Sequence, residues 1–373
     1  MDPHPITTLG DMGGDPPPPD SLVHCNLLDF LAATPGGWAD LVVTSPPYWM
    51  KVDYDGHGAR QADIDGGQLG LEDTPEQYAD RMADVLLKVA AKVRPEGSMV
   101  VNIGDTYMAR RRRQATQTRH QAKHIGRAGA IAGHPEIPRK SLCMVPWMVA
   151  DRVVRRGGYA CRSADVWYDH SRMPEPRVKD RHWQKTELVF QFAMGEHSYS
   201  RLGEGEHPGP NVLNIPHAVG KGRHHATMPP ALAAEYIDFL CPPGGLVFDP
   251  FGGEGTTAVV ARSMGRSFVL TEIVREFCES AAGRIAAEAC PEARPADRPE
   301  VLDAVVDAVG SSFATVSARG RRLVVPLEGL RLVGAVAVGD RLTVVVETRR
   351  TYLGQGPSGP RHAFSQTVHC LPA

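Results

Sequence analysis

Apolar positions along this chain recur in two rhythms, and their alternation sets out an architecture before any single residue is considered. Leu41-Val42-Val43-Thr44 is a short continuous apolar run that stops at Ser45-Pro46-Pro47. Such a run reads as a parallel strand buried on both faces, its carboxyl end opening into a loop. Thr74 then stands as an N-cap, Pro75 at the first helical position and Gln77 at the capping-box position, ahead of Tyr78, Met82, Leu86, Val89 and Val93 at helical spacing. This predicts a helix, ended by Pro95 and Gly97. Residues 99–103 read as a second strand, 142–156 as a helix closed by Gly157, and the stretches 159–168 and 187–193 as two more strands. Leu246-Val247-Phe248-Asp249 runs through a glycine-rich turn into a helix over 256–264, and 268–272 is the strand after it. Strand, helix and strand in that order make a βαβ unit. The alternation as a whole predicts a doubly wound α/β sheet, in which ligands sit beyond the carboxyl ends of the strands.

The pattern changes near both ends. Residues 1–20 contain Pro16 to Pro19 and lack a basic start followed by an apolar stretch, so they read as a disordered lead-in rather than a secretory signal. The α/β pattern occupies residues 21–290, and a Pro/Ala/Arg/Glu linker follows over 291–300. Residues 301–373 carry β-branched runs at 323–325 and 342–346, which predict a small β-rich C-terminal domain. No apolar run is long enough to span a membrane.

Composition adds little until charge is placed along the chain. The 373 residues are 42% hydrophobic and 23% charged, with a net charge of -2. Residues 108–140, however, hold seven Arg and two Lys against the single acid Glu136, a local balance of +8. Arg110, Arg111, Arg112, Arg113, Arg119, Lys123 and Arg127 form the heart of this basic insert, and such a stripe is the footprint of phosphate binding; a solvated loop remains the plainer alternative. The seven cysteines include no Cys-x-x-Cys pair, which excludes a zinc-ribbon pattern and argues against a disulfide framework. A reducing cytoplasm is expected, and no metal site.

The turn after residue 248 is a candidate cofactor pocket. Asp249, Pro250, Phe251, Gly252, Gly253, Gly255, Thr256 and Thr257 take a strand into a helix, where glycines let backbone approach a ligand and the helix start offers N–H groups. Glu272 closes the next strand, at the position where an acid accepts hydrogen bonds from two ribose hydroxyls. Nicotinamide dinucleotides share that device, but a pyrophosphate needs a neutral helix end. Asp249 at the turn suits instead a ligand with an ammonium and a sulfonium, the two positive charges of S-adenosylmethionine (AdoMet).

The candidate chemistry lies at Thr44-Ser45-Pro46-Pro47-Tyr48-Trp49. Two prolines fix the backbone and remove two donors, leaving carbonyls to accept from an amino group, while Tyr48 and Trp49 offer flat faces for a base taken out of a duplex. Together with the glycine turn, this resembles the β group of amino-methylating DNA methyltransferases, in which the catalytic motif precedes the cofactor motif. The likeness runs from about Leu22 to Ile285 and includes 69–72, 102–107, 174–176 with 179–181, and 225–229.

That resemblance implies a Rossmann-like AdoMet-dependent fold of permuted motif order, with Ser45, Pro46, Pro47 and Tyr48 catalytic. Thr44, Asn26 and Thr227 join the glycine turn and Glu272 as cofactor-binding residues, and Trp49 joins the basic insert on DNA. Serine at the head of the motif implies cytosine N4 as target; an N6-adenine enzyme of the same architecture is the nearest alternative, and a catalytically silent DNA-binding subunit the alternative from another class. Asn26 stands where the family commonly has an acid, so a neutral acceptor would face the adenine of AdoMet. Double-stranded DNA is the expected partner and the bacterial nucleoid the expected place. A companion restriction endonuclease and a homodimer remain open, and for sequence recognition the loop 50–72, the basic insert and the C-terminal domain are all candidates.

Overall fold

A computed structural model of the chain describes residues 3–11, 15–49, 68–108, 134–173, 178–196, 198–202, 208–217 and 228–287, and the backbone of five strands beyond residue 300. The chain forms two compact units, residues 1–290 and 291–373.

The first unit is built on a nine-stranded sheet. Its strands are β1 (Ile6–Thr8), β2 (Ser21–His24), β3 (Ala39–Thr44), β4 (Val93–Ile103), β5 (Ala160–Tyr168), β6 (Thr186–Ala193), β7 (Val212–Asn214), β8 (Leu246–Asp249) and β9 (Ser267–Glu272). Their order across the sheet is β1-β2-β9-β8-β3-β4-β6-β5-β7. Neighbours from β1 through β4 are all parallel, β6 is antiparallel to both β4 and β5, and β7 runs with β5. Helices α1 (Leu27–Ala33), α2 (Pro75–Ala90), α3 (Val145–Gly157), α4 (Pro230–Leu240), α5 (Thr256–Ser263) and α6 (Arg275–Ala287) connect the strands. The central strands are apolar throughout because both faces are covered: Leu41, Val42, Val43, Val247 and Phe248 have no exposed surface. Among the described residues, no helix is long and apolar enough to cross a membrane.

Helix α2 starts as its capping residues require, with the Thr74 hydroxyl accepting from Gln77 N at 3.2 Å. Its end departs from expectation. Val93 has helical spacing but belongs to β4, and Pro95 and Gly97 lie inside that strand. The helix stops at Ala90 because the Lys92 carbonyl turns to accept from Trp38 N and Ala39 N, both at 2.9 Å, which starts the pairing of β4 with β3. Helix α3 likewise begins later than its apolar pattern suggests. Leu142 bridges to Tyr107, Met144 adopts a left-handed conformation at φ 59°, and only then does the helix open at Val145, with Pro146 in its first turn.

The lead-in is corrected as well. Residues 6–8 form the edge strand β1, paired with β2, and His4 packs its ring 5.5 Å from that of Phe268 while its Nε2 lies 2.8 Å from the Asp20 carbonyl. The prolines that suggested disorder lie after this anchored segment.

The second unit is a five-stranded antiparallel sheet of order β12-β11-β10-β13-β14, with β10 (Glu300–Val309), β11 (Phe313–Ala318), β12 (Arg321–Pro326), β13 (Arg341–Gly356) and β14 (Gly359–Cys370).

Candidate active site

Four adjacent parallel strands end on one cleft, which encloses about 990 Å³ with its open mouth included. Ser45 and Pro47 reach it from the end of β3, residues 249–254 from β8, residues 271–274 from β9, and Cys25, Asn26 and Leu27 from β2. Carboxyl strand ends are where helix starts and loop carbonyls converge, so a doubly wound sheet places its ligand there.

The glycine turn is tight for a packing reason. A Cβ on Gly252 would stand 2.1 Å from the Leu270 side chain, and Gly252 N donates to Thr271 O at 2.9 Å, so backbone alone fits against β9. Gly255 caps α5 at φ 79°, and a Cβ there would meet Ala281 at 2.8 Å. Glu272 accepts from Gly253 N and from Val274 N, each at 2.8 Å. Burial pushes its carboxyl up to about 7 despite those two amides, with the nearby Asp249 adding to the rise.

Asp249 is engaged inward. Its Oδ1 accepts from the Thr44 hydroxyl at 2.7 Å and from Phe251 N at 3.1 Å, and its Oδ2 accepts from the Thr257 hydroxyl at 2.7 Å. Three of its roughly four acceptor positions are therefore taken, and burial raises its pKa above the usual carboxylate range. It faces a cationic ligand mainly through its charge. Thr44 has no exposed surface and serves Asp249, which corrects its assignment to direct cofactor contact. Asn26 lines the cleft, yet its Oδ1 accepts from Leu28 N at 2.8 Å and caps α1.

The residues present fit AdoMet. Glu272 offers a carboxylate to a diol, Asp249 a negative charge beneath the glycine turn, and Leu27, Ile273, Val274 and Phe277 an apolar slot for a flat ring. Cys25 also borders the cleft, but burial pushes its thiol up to about 12, so it supplies no thiolate.

Beside this cleft the Ser-Pro-Pro-Tyr loop forms a polar cluster. The Ser45 hydroxyl donates to Tyr48 Oη at 3.1 Å, with Asn102 Oδ1 at 3.4 Å. Tyr48 Oη stands 2.8 Å from both Asn102 Oδ1 and Glu187 Oε2. Burial, followed by the Glu187 charge, raises the Tyr48 pKa well above that of an ordinary phenol. The loop is fixed from behind by the Tyr78 hydroxyl, which donates to Pro47 O at 2.8 Å.

Trp49 requires a correction. Its position in the motif suggests a face offered to DNA, but it is 1% exposed, part of the core, and its indole N–H donates to Glu72 O at 2.9 Å. After the two prolines the chain turns its second aromatic inward. Asn102 and Glu187, by contrast, escape a reading of the sequence for functional side chains. Glu187 comes from the start of antiparallel β6, a register that only the sheet reveals. Thr227, Arg110, Arg111, Arg112, Arg113, Arg119, Lys123 and Arg127 lie outside the described residues; Met228, next to Thr227, lines the cleft.

A parallel sheet with one reversed strand, a glycine turn facing an acid on the next strand, and a proline-fixed polar loop beside it define an AdoMet-dependent methyltransferase site. The family model described as DNA methylase, which covers N6 and N4 enzymes, matches residues 39–283, and the chain belongs to this family. It is an AdoMet-dependent DNA methyltransferase. It is 31% identical over 281 residues to the Type II methyltransferase M.Cfr9I of Citrobacter freundii, covering 72% of this chain and 88% of that one. It is 32% identical over 260 residues to M.SmaI of Serratia marcescens, covering 66% and 84%. In fold it matches the PvuII DNA methyltransferase (cytosine-N4-specific) at a TM-score of 0.53 and 22% identity, over 73% of this chain and 88% of that one.

Proposed function

We propose that the protein methylates the exocyclic N4 amine of cytosine in double-stranded DNA. The observation that carries this reading is Ser45 at the head of the proline loop. Its hydroxyl hydrogen points to Tyr48 Oη at 3.1 Å, which leaves its lone pairs as acceptors for a neutral amine. The solved neighbour named as cytosine-N4-specific supports the same choice.

An amine conjugated to a ring is a poor nucleophile because its lone pair is delocalised. Hydrogen bonds from the amine to Ser45 Oγ and the Pro46 carbonyl favour a pyramidal nitrogen, and Pro47, held by Tyr78, keeps that carbonyl in place. AdoMet supplies an electrophilic methyl group on its sulfonium. Glu272 would accept the ribose hydroxyls, the Gly252-Gly253 backbone and Asp249 would receive the methionine end, to which the family resemblance also assigns Thr227, and Asn26 would border the adenine side. Tyr48 stacks on the extruded base, worth roughly 1 to 3 kcal/mol against an unstacking cost of a few kcal/mol. The basic insert 108–140 holds the flanking phosphates. The Type II designation of the relatives supports a restriction-modification setting, with an endonuclease of the same target sequence as companion.

The test is to incubate the protein with unmethylated DNA and labelled AdoMet, digest to nucleosides and identify the product by mass spectrometry. N4-methylcytosine is expected, with no other nucleoside modified. N6-methyladenine would overturn the choice of base while keeping the site. Tyr48→Ala should lower turnover far more than AdoMet binding.

A further inference from the structure

We propose that Glu187 is the terminal acceptor of the proton that leaves the target amine, reached through the hydroxyls of Ser45 and Tyr48. The inference deepens the proposed function and rests on its placement of the target amine at Ser45.

Three oxygens line up for this. Ser45 Oγ is 3.1 Å from Tyr48 Oη, and Tyr48 Oη is 2.8 Å from Glu187 Oε2. Glu187 is 8% exposed, and its other oxygen accepts from Arg172 at 2.8 Å. Arg172 in turn lies 3.6 Å from Asp169, which is 2% exposed and fastened by Ser171 N, Ser171 Oγ and His217 N. Among the described residues, the groups facing Glu187 include Tyr48 from the loop after β3 and Arg172 from the segment after β5, backed by Asp169, while the neutral Asn102 from β4 shares the Tyr48 hydroxyl.

Satisfying the Tyr48 hydroxyl does not by itself require Glu187. A buried phenol needs one acceptor, and Asn102 Oδ1 already stands 2.8 Å from Tyr48 Oη, its orientation fixed by Asn102 Nδ2 donating to Leu188 O at 3.3 Å. Burying a carboxylate on the same hydroxyl is costly and adds nothing to satisfying it. What the carboxylate adds is the capacity to take a proton. Of the two acceptors, the charged one makes the stronger hydrogen bond and draws the Tyr48 hydrogen to itself, so Tyr48 Oη remains open to the Ser45 hydrogen.

The step balances without any further reactant. As the methyl–nitrogen bond forms, the methyl–sulfur bond of AdoMet would break, its electron pair staying on sulfur to leave a neutral thioether, and the amine nitrogen takes over the positive charge and becomes a strong acid. Its N–H bond breaks and an O–H bond forms at Ser45. The original Ser45 proton passes to Tyr48 Oη, the Tyr48 proton passes to Glu187 Oε2, and the carboxylate becomes a neutral acid. The amine ends neutral and methylated, and solvent later takes the proton from Glu187.

The experiment measures single-turnover methyl transfer at saturating AdoMet and DNA, in light and heavy water and their mixtures. The native enzyme should give a curved proton inventory, the sign of more than one proton in motion. Glu187→Gln should be slower by about a hundredfold, the lower range for general-base assistance, and should lose the curvature while binding AdoMet normally. Tyr48→Phe should behave alike, and the double variant should be no slower than either single one. A native rate in Glu187→Gln, or a slowed variant that keeps the curvature, overturns the relay. Should Glu187→Gln fail to fold, the native inventory decides alone, and a linear one overturns it. Ser45→Ala separates the two proposals: full activity there removes the site reading itself, whereas an inactive Ser45→Ala beside a native Glu187→Gln removes only the relay.

Discussion

Lowering the pH from 8 to 6 is expected to weaken AdoMet binding about tenfold through a single carboxyl group, Glu272. Burial holds this acid at about 7 in the ligand-free protein, against an ordinary value of 4.5. A ribose diol donates two hydrogen bonds and so selects the carboxylate; the protonated form must give up one acceptor. Affinity is then full above pH 7 and falls as pH drops through 7, by a factor approaching ten, or about 1.4 kcal/mol, for each further unit. At pH 7 itself, binding should release about half a proton. The free protein responds in the opposite sense: the burial cost of the charged form, about 3 kcal/mol from a shift of that size, weighs on it above pH 7 and disappears below 4.5. The rise in melting temperature caused by AdoMet should therefore shrink as the solution is acidified. Titration calorimetry in two buffers of different ionisation enthalpy measures both the affinity and the proton count, with Glu272→Gln as the pH-insensitive reference. A native affinity that changes less than about twofold between pH 8 and 6, or a Glu272→Gln variant that keeps the slope, refutes the reasoning.

Two other outcomes follow from the site and its surroundings. Trp49→Ala should cost about 3 to 5 kcal/mol of stability in denaturant titration, as expected for removing a fully buried aromatic, and leave the DNA affinity of the folded protein unchanged; a large loss of DNA binding would return Trp49 to the interface. Replacing Arg110, Arg111, Arg112 and Arg113 together by alanine should flatten the slope of log affinity for DNA against log salt, measured by fluorescence anisotropy, by up to about 0.9 for each phosphate that those arginines neutralise.

The parts of this site that could be read from sequence are those in which adjacent residues do the work. The apolar run into Ser45-Pro46-Pro47 announces a strand end, and a glycine turn with an acid one strand later announces a nucleoside pocket, because both signals are local. Glu187 is different: it meets Tyr48 only because β6 runs antiparallel beside β4, and the two residues are 139 positions apart. The opposite fates of Tyr48 and Trp49 also escape pattern reading. Both are aromatic and adjacent, and the choice of which one goes inward is made by Glu72 and the packing around it. Thr44 shows the same limit, since a threonine at a strand end looks exposed until the strand beside it places Asp249 within reach. In Val93 the helical rhythm is real but loses to a pairing with Ala39.

The hydroxyls of Thr44 and Thr257 meet on the two oxygens of one carboxylate, although Thr44 ends the strand that carries the Ser-Pro-Pro-Tyr loop and Thr257 sits in the helix after the glycine turn. This joint depends on β3 and β8 being neighbours in the sheet; the 205 positions of chain between Thr44 and Asp249 play no part in it. Genes could therefore exchange the order in which the two segments are encoded without retuning either, provided the strands still arrive side by side. The same carboxylate makes the two segments inherit each other's errors, so a substitution that loosens one should be rescued by compensation in the other.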